Sequence, residues 1–218
     1  MHYDAVVFDV DGVLVEPPSR KTLQEAARAA LDRANLDADP RSVTRDLFEG
    51  NVDALADRCR QSGVDLAAFC QRAAATSFET QRHEIETGVR SVYDDVRALW
   101  DIDRPLGVVS DNQPQVIQYV LRRFDADLFE TVRCRTVAPH DLRRSKPDTW
   151  NVEAALSDLG TRNALHVGDR AVDVEVACRV GIDSALLDRG VDDDPAVTPD
   201  YTLDGLDDVP ALVEGHTD

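Results

Sequence analysis

The sequence predicts an α/β fold, a doubly wound parallel sheet interrupted by an inserted helical bundle. Three observations carry that expectation. The run Ala5-Val6-Val7-Phe8 is apolar and rich in β-branched residues, the composition of a strand buried on both faces, and it stops at Asp9 and Asp11. From Ser19 to about Thr87 the apolar residues recur at helical spacing only. From Pro105 onward short apolar runs alternate with helical patterns, which is the signature of parallel strands with helices on both faces.

Taken in order, the first strand leads through Asp11-Gly12-Val13-Leu14-Val15 to a stiff Pro17-Pro18 exit. Leu23, Ala26, Ala27, Ala30, Leu31 and Ala34 form one helical stripe. Asp39-Pro40 reads as an N-cap followed by proline at the first helical position. Val52, Leu55, Ala56 and Cys59 form the next stripe; Leu66, Phe69, Cys70, Ala73, Ala74 and Phe78 form another, capped by Asp65. The expected division is therefore a core of residues 1–16 and 88–218 and a helical cap of residues 17–87.

After the insertion, Pro105 to Ser110 reads as a strand, and Asn112 or Gln113 as the cap of a helix carrying Val116, Ile117, Val120 and Leu121. Thr131 to Cys134 is a short strand, Asp148 caps a helix closed by Gly160, and Ala164 to Val167 is a further strand. A helix from Asp169 to about Val180, a strand from Ser184 to Leu187, an edge strand at Tyr201 and a helix over Leu206 to Val213 complete the chain. Asp192-Asp193-Asp194-Pro195 reads as a solvated loop.

Composition narrows the function classes. The 218 residues carry 42 acids against 24 Lys plus Arg, a net charge of −18, spread along the whole chain. Such a balance opposes general nucleic-acid binding, which needs a basic patch. It suits a high-salt cytoplasm, where the Debye length shrinks to about 3 Å at 1 M salt. Only two cations are lysines, Lys21 and Lys146, so Lys146 is conspicuous as a lysine kept among arginines. No basic region followed by an apolar run opens the chain and no apolar run approaches a membrane span, so a cytoplasmic protein without a membrane partner is expected. Cys59, Cys70, Cys134 and Cys178 form no C-x-x-C pair; Cys59, Cys70 and Cys178 fall on apolar helix faces, as buried reduced thiols do.

Four points fall at the carboxyl ends of expected parallel strands, where open α/β sheets hold ligands. They are Asp9 with Asp11; Ser110-Asp111-Asn112; Lys146-Pro147; and Gly168-Asp169 with Asp173, the last two acids being placed on one face of a helix start. Two like charges 4 Å apart cost about 4 kcal/mol at an effective dielectric of 20, so converging carboxylates call for a cation. Mg²⁺ suits a site of a few carboxylates, waters and a phosphate, with Lys146 and the Ser110 hydroxyl left for the remaining phosphate oxygens.

At these residues the chain resembles the haloacid dehalogenase superfamily, in its phosphatase branch with a helical cap after the first motif, phosphoglycolate phosphatase-like. Asp9-x-Asp11-Gly12-Val13-Leu14, Ser110, Lys146-Pro147 and Gly168-Asp169-x-x-x-Asp173 resemble its four motifs in order over essentially the whole chain. The resemblance implies a Rossmann-like core and a Mg²⁺-dependent phosphatase of small phosphate monoesters. It implies Asp9 as the nucleophile that takes the phosphoryl group, Asp11 as acid and then base, and Ser110, Asp111 and Lys146 around the phosphate. Mg²⁺ would be held by Asp9, Asp11 through its backbone carbonyl, Asp169 and, directly or through water, Asp173. The implied partner is a small phosphorylated metabolite, with monomer and homodimer both open. A sugar-phosphate mutase and a haloacid dehalogenase are rivals within the family; a phospho-accepting signalling receiver is the rival outside it. A halide leaving group needs no acid, so Asp11 favours phosphate.

Some positions depart from the usual pattern. Val13 replaces a common threonine, Asp111 a common asparagine, and Arg170 a small hydroxyl residue. Arg170 is expected to pair with surface acids, and Trp150 to be a packing residue. Phe48-Glu49-Gly50-Asn51 is either a substrate-selecting loop or an ordinary turn with Gly50 left-handed. Arg45 and Arg58 are expected on solvated helix faces, and His83 at the surface.

Overall fold

The computed structural model describes residues 2–124, 128–190 and 196–215; the acidic run Asp192-Asp193-Asp194-Pro195 lies outside the described residues. Six strands, β1 (Ala5–Phe8), β2 (Leu106–Ser110), β3 (Thr131–Cys134), β4 (Ala164–Gly168), β5 (Asp183–Leu187) and β6 (Tyr201–Leu203), form one parallel sheet in the order β3-β2-β1-β4-β5-β6. The chain steps outward from β1 through β2 to β3, then crosses back to β4 on the other flank. β1 is thus the central strand at which the order reverses, the place where α/β sheets form a ligand crevice.

Period-two alternation divides the sheet's side chains between two cores. Val6, Phe8, Val108, Leu165 and Val167 pack with α5 (Pro114–Leu121), with α9 (Val209–Glu214) and with a 3₁₀ helix over Asp94–Asp101. Ala5, Val7 and Val109 pack with α7 (Trp150–Leu159) and α8 (Ala171–Val180) on the opposite face. The 3₁₀ helix was not expected; Val96 and Leu99, three apart, both point inward, which suits its three-residue turn. The short helix α6 (Pro139–Leu142) was also not foreseen.

Between β1 and the 3₁₀ helix lie α1 (Arg20–Ala34), α2 (Pro40–Phe48), α3 (Val52–Gln61) and α4 (Leu66–Thr87). Their starts follow from side-chain caps. Ser19 Oγ accepts from Thr22 N at 3.1 Å, Asp39 from Arg41 N at 3.2 Å, and Asp65 from Ala68 N at 2.8 Å. Their stripes close a separate apolar core of Ala27, Ala30, Leu31, Val43, Leu55, Cys59, Phe69 and Cys70, which Leu142 of α6 joins from below. Among the described residues, no helix is long and apolar enough to cross a membrane.

Several local expectations need correction. Cys178 is exposed on α8 rather than buried. Helix α7 takes Thr149, not Asp148, as its N-cap residue, although Asp148 still accepts from Trp150 N at 3.0 Å. Of the two residues expected at the start of α5, Gln113 is the N-cap residue; it makes no side-chain capping bond, its amide donating instead to Ala74 O of α4 at 2.8 Å. Helix α8 begins at Ala171, so Asp169 stands in the turn after β4 rather than on the helix. Trp150 is 56 % exposed, with the Arg144 guanidinium 4.0 Å above its ring, and is no packing residue.

Candidate active site

The parallel register puts Phe8 beside Val108 of β2 and Val167 of β4, so the next residues of all three strands emerge together. Asp9, Ser110, Lys146, Asp169 and Asp173 meet there, all buried. Asp11 lies at the same edge, partly open, in the turn where Gly12 N donates to Val15 O at 2.7 Å.

Two glycines make the convergence possible. Gly12 has φ +87°, and a Cβ there would stand 1.9 Å from Asp169 Oδ2; only glycine lets that carboxylate lie against the turn. A Cβ on Gly168 would fall 2.2 Å from the Asp173 Cβ, so the β4 end needs the same thinness.

Lys146 is the cation of this floor. Its Nζ lies 3.0 Å from Asp9 Oδ1 and 2.5 Å from Asp173 Oδ1. Burial works against its charge, but Asp173, Asp9 and Asp111 hold its pKa well above the ordinary lysine value. Asp173 is saturated: Oδ1 also faces His166 Nε2 at 3.4 Å, and Oδ2 accepts from Arg170 N at 3.2 Å. Burial opposes its ionisation, yet Lys146 and His166 overcome that and keep its pKa below the usual carboxylate range. Burial likewise pushes the His166 imidazole below its ordinary value.

Asp9 and Asp169 differ from Asp173. Desolvation raises the Asp9 pKa well above normal, Lys146 opposing it and Asp173, Asp169 and Asp11 adding to it. Asp169 is pushed up to about 7 by burial and by Asp173. Its Oδ1 is buried without a hydrogen-bond partner, and Asp9 Oδ1, though close to Lys146, is not in hydrogen-bond geometry. Asp9, Asp169 and Asp173 each offer a carboxylate oxygen within 4.8 Å of the others. Hard oxygens, crowded and partly orphaned, fit a hard divalent cation such as Mg²⁺.

The other predicted residues take definite places. Ser110 Oγ accepts from Asn112 N at 3.1 Å, leaving its hydroxyl proton to be donated elsewhere. Asp111 turns its carboxylate to the Lys146 loop, where both oxygens accept from Lys146 N at 3.1 Å; burial nonetheless raises its pKa. The departure from asparagine thus has a use, fixing the backbone that carries the site's lysine. Arg58 is engaged inside the helical insertion by buried Asp46 at 3.0 Å, while Arg45 and His83 are exposed. Arg170 lies with its guanidinium 5.3 Å from the Phe48 ring, which joins the α2–α3 turn to the rim of the site. Gly50 in that turn is left-handed, and a Cβ there would meet Leu142 O at 2.2 Å, so the turn is seated on the core.

Three polar residues, Gln81, Arg90 and Arg135, went unrecognised in the sequence, as did the contact of Asn112 with Asp11. Asp11 is held by Arg90 and by Asn112 Nδ2, the latter at 2.8 Å, and both of these donate to Gln81 Oε1 at 2.9 Å. Arg135, partly buried and with its pKa lowered by desolvation, donates to Asp111 O at 3.1 Å and to Leu47 O at 3.0 Å. It ties the α2–α3 turn to the core. The one available signal was position: Arg90 follows Thr87-Gly88-Val89, where the chain leaves the insertion.

Comparison with known proteins agrees with this architecture. The chain is 29% identical over 129 residues to the pyrophosphatase PpaX of Listeria monocytogenes and of Listeria innocua, a match covering 56% of this chain and 57% of the relative's length. Among solved structures, CbbY from Rhodobacter sphaeroides in complex with phosphate superposes with a TM-score of 0.73 at 15% identity, over 95% of this chain and 96% of that one. A predicted phosphoglycolate phosphatase from Haemophilus somnus 129PT gives 0.66 at 22% identity, over 96% and 97%. These two likenesses speak for the fold. The sequence profile of the haloacid dehalogenase-like hydrolases matches residues 3–181, most of the length, and the chain belongs to that family of hydrolases.

Proposed function

We propose that the protein is a Mg²⁺-dependent phosphatase of small phosphate monoesters, phosphoglycolate phosphatase-like, acting through a phosphoryl group carried on Asp9. The observation that supports this most is the arrangement of Lys146 Nζ 3.0 Å from Asp9 Oδ1, with Asp11 at the same strand end. The buried ammonium opposes the desolvation that raises the Asp9 pKa and so favours its nucleophilic carboxylate form, and the second carboxyl supplies the proton that an alkoxide leaving group needs.

The residues divide the reaction between them. Asp9 attacks phosphorus, the bond to the ester oxygen breaks, and the proton of Asp11 goes to that oxygen. Asp11, now a carboxylate, takes a proton from the water that attacks the aspartyl-phosphate, and Asp9 is released with inorganic phosphate. Lys146 and Ser110 hold the phosphoryl oxygens throughout, and the Asp111 carboxylate keeps the Lys146 backbone in register. Asp9, Asp169 and the Asp11 carbonyl would hold Mg²⁺, with Asp173 beside them, and the ion when bound supplies positive charge against the phosphate. The α2–α3 turn with Phe48, opposite Arg170, stands where it would limit substrate size as the inserted helices exclude water.

The name of the PpaX relatives adds pyrophosphate to the substrates worth assaying. The test is hydrolysis of p-nitrophenyl phosphate, phosphorylated metabolites and pyrophosphate at low and high KCl. Turnover that needs Mg²⁺, stops in EDTA and is absent from Asp9→Asn is expected. Equal rates with Mg²⁺ and EDTA would remove the metal, and full activity in Asp9→Asn would remove the nucleophile.

A further inference from the structure

Arg90 is 2 % exposed, and the reaction as described gives it no task. It sits where the chain returns from the helical insertion, and its three nitrogens face three different segments. Nη2 donates to the Asp11 carboxylate, Nη1 to Gln81 Oε1 of α4 at 2.9 Å, and Nε to the carbonyl of Glu16, on the outgoing linker. The other Asp11 oxygen accepts from Asn112, which donates to the same Gln81 oxygen. Gln81 is 1 % exposed and is itself oriented by donating to Ser77 Oγ at 2.9 Å. Both donors to Asp11 therefore answer to one buried amide of the insertion's longest helix.

Burying a guanidinium is unfavourable until its partners compensate the lost hydration, so a desolvated arginine is a demanding way to tie two linkers together. What it provides that a surface pair does not is a fixed, planar fork aimed at one carboxylate. The two linkers and Gln81 converge on it with the insertion seated on the core.

We propose that Arg90 is a positioning residue for Asp11. With Gln81 and Asn112 it holds the carboxyl where the leaving oxygen and the attacking water will be, and it couples that placement to seating of the helical insertion. Arg90 keeps its own protons; those in transit pass only through Asp11. The inference rests on the phosphatase reading above and gives the acid–base step a dependence on the insertion.

Leaving-group dependence tests it. The measurement is kcat/KM with Mg²⁺ for an alkyl phosphate and for p-nitrophenyl phosphate, since this ratio reports the step in which the ester bond breaks. Arg90→Met is expected to lower it about 100-fold for the alkyl ester, the cost of a displaced catalytic group. The loss for p-nitrophenyl phosphate is expected to be under about tenfold, because its leaving group needs little protonation. Gln81→Leu should show the same split in smaller degree, and it decides the matter if Arg90→Met does not fold. Equal losses on both substrates, or no loss, would overturn the role of Arg90 and leave the phosphatase reading standing. A wild-type protein that hydrolyses neither ester with Mg²⁺ would instead overturn that reading.

Discussion

Lys146 Nζ lies 2.5 Å from Asp173 Oδ1, a buried pair that joins the loop before α7 to the first turn of α8. Through this pair the site's ammonium is held against Asp9, and one of its three crowded carboxylates is already neutralised before any metal arrives.

Removing Lys146 should therefore be costly twice over. Lys146→Met leaves Asp173 buried without its ammonium partner, which costs about 3–5 kcal/mol for a broken buried pair. Urea unfolding in EDTA checks that figure. Phosphatase activity is expected to fall at least about 100-fold, from loss of a preorganised charge at the phosphoryl group. Lys146→Arg should not restore it, because a planar guanidinium does not fit a slot shaped for an ammonium.

Asp169 predicts a pH dependence. With its pKa raised to about 7 in the folded protein, the folded state holds a proton between about pH 4 and 7 that the unfolded chain has released. From Asp169, stability of the metal-free protein is then expected to fall as pH rises through that window and level off above it, with the depressed His166 imidazole working in the opposite direction. Asp9 and Asp111, also raised, act in the same direction. The drop attributable to Asp169 is about 4 kcal/mol, three pKa units at 1.36 kcal/mol each. Urea titrations in EDTA at several pH values measure it; Asp169→Asn should flatten the slope, and added Mg²⁺ should stabilise more at pH 8 than at pH 5.

Gly12→Ala tests the packing of the first turn. The φ of +87° and the 1.9 Å approach to Asp169 Oδ2 mean that a methyl group both strains the backbone and displaces the Asp169 carboxylate. A loss of about 1–3 kcal/mol from backbone strain is expected by thermal unfolding, and activity should need a much higher Mg²⁺ concentration. Unchanged stability and Mg²⁺ requirement would contradict the close approach.

Asp111→Asn keeps an acceptor for Lys146 N and should change stability by less than about 1 kcal/mol with activity preserved. Asp111→Ala removes both acceptors and is expected to cost about 1–2 kcal/mol and to lower kcat more than it raises KM. A chemical-denaturation series with steady-state kinetics separates the two variants.

The legible part of this protein was its local part. Asp9, Asp11, Ser110 and Asp169 announce themselves because each ends or follows a buried strand, and Lys146 because it is one of only two lysines. The helical insertion was readable from its stripes and from Ser19, Asp39 and Asp65 at its helix starts. What stayed hidden depends on distance along the chain. Arg90 meets Asp11 across 79 positions and Asn112 meets it across 101, and nothing in the local composition distinguishes Arg90 or Arg135 from arginines that face water. Trp150 misled because a large aromatic residue on a helix is usually inside, whereas here it carries the guanidinium of Arg144 at the surface.

The central claim is that Asp9 carries the phosphoryl group and Asp11 completes its removal. The most direct measurement is acid quench of Asp11→Ala with Mg²⁺ and p-nitrophenyl phosphate, followed by peptide mass spectrometry. The account predicts one added phosphoryl group on the peptide containing Asp9, accumulating in this variant and transient in the wild type. Steady turnover with no phosphorylated peptide, or phosphate found on another residue, would contradict it.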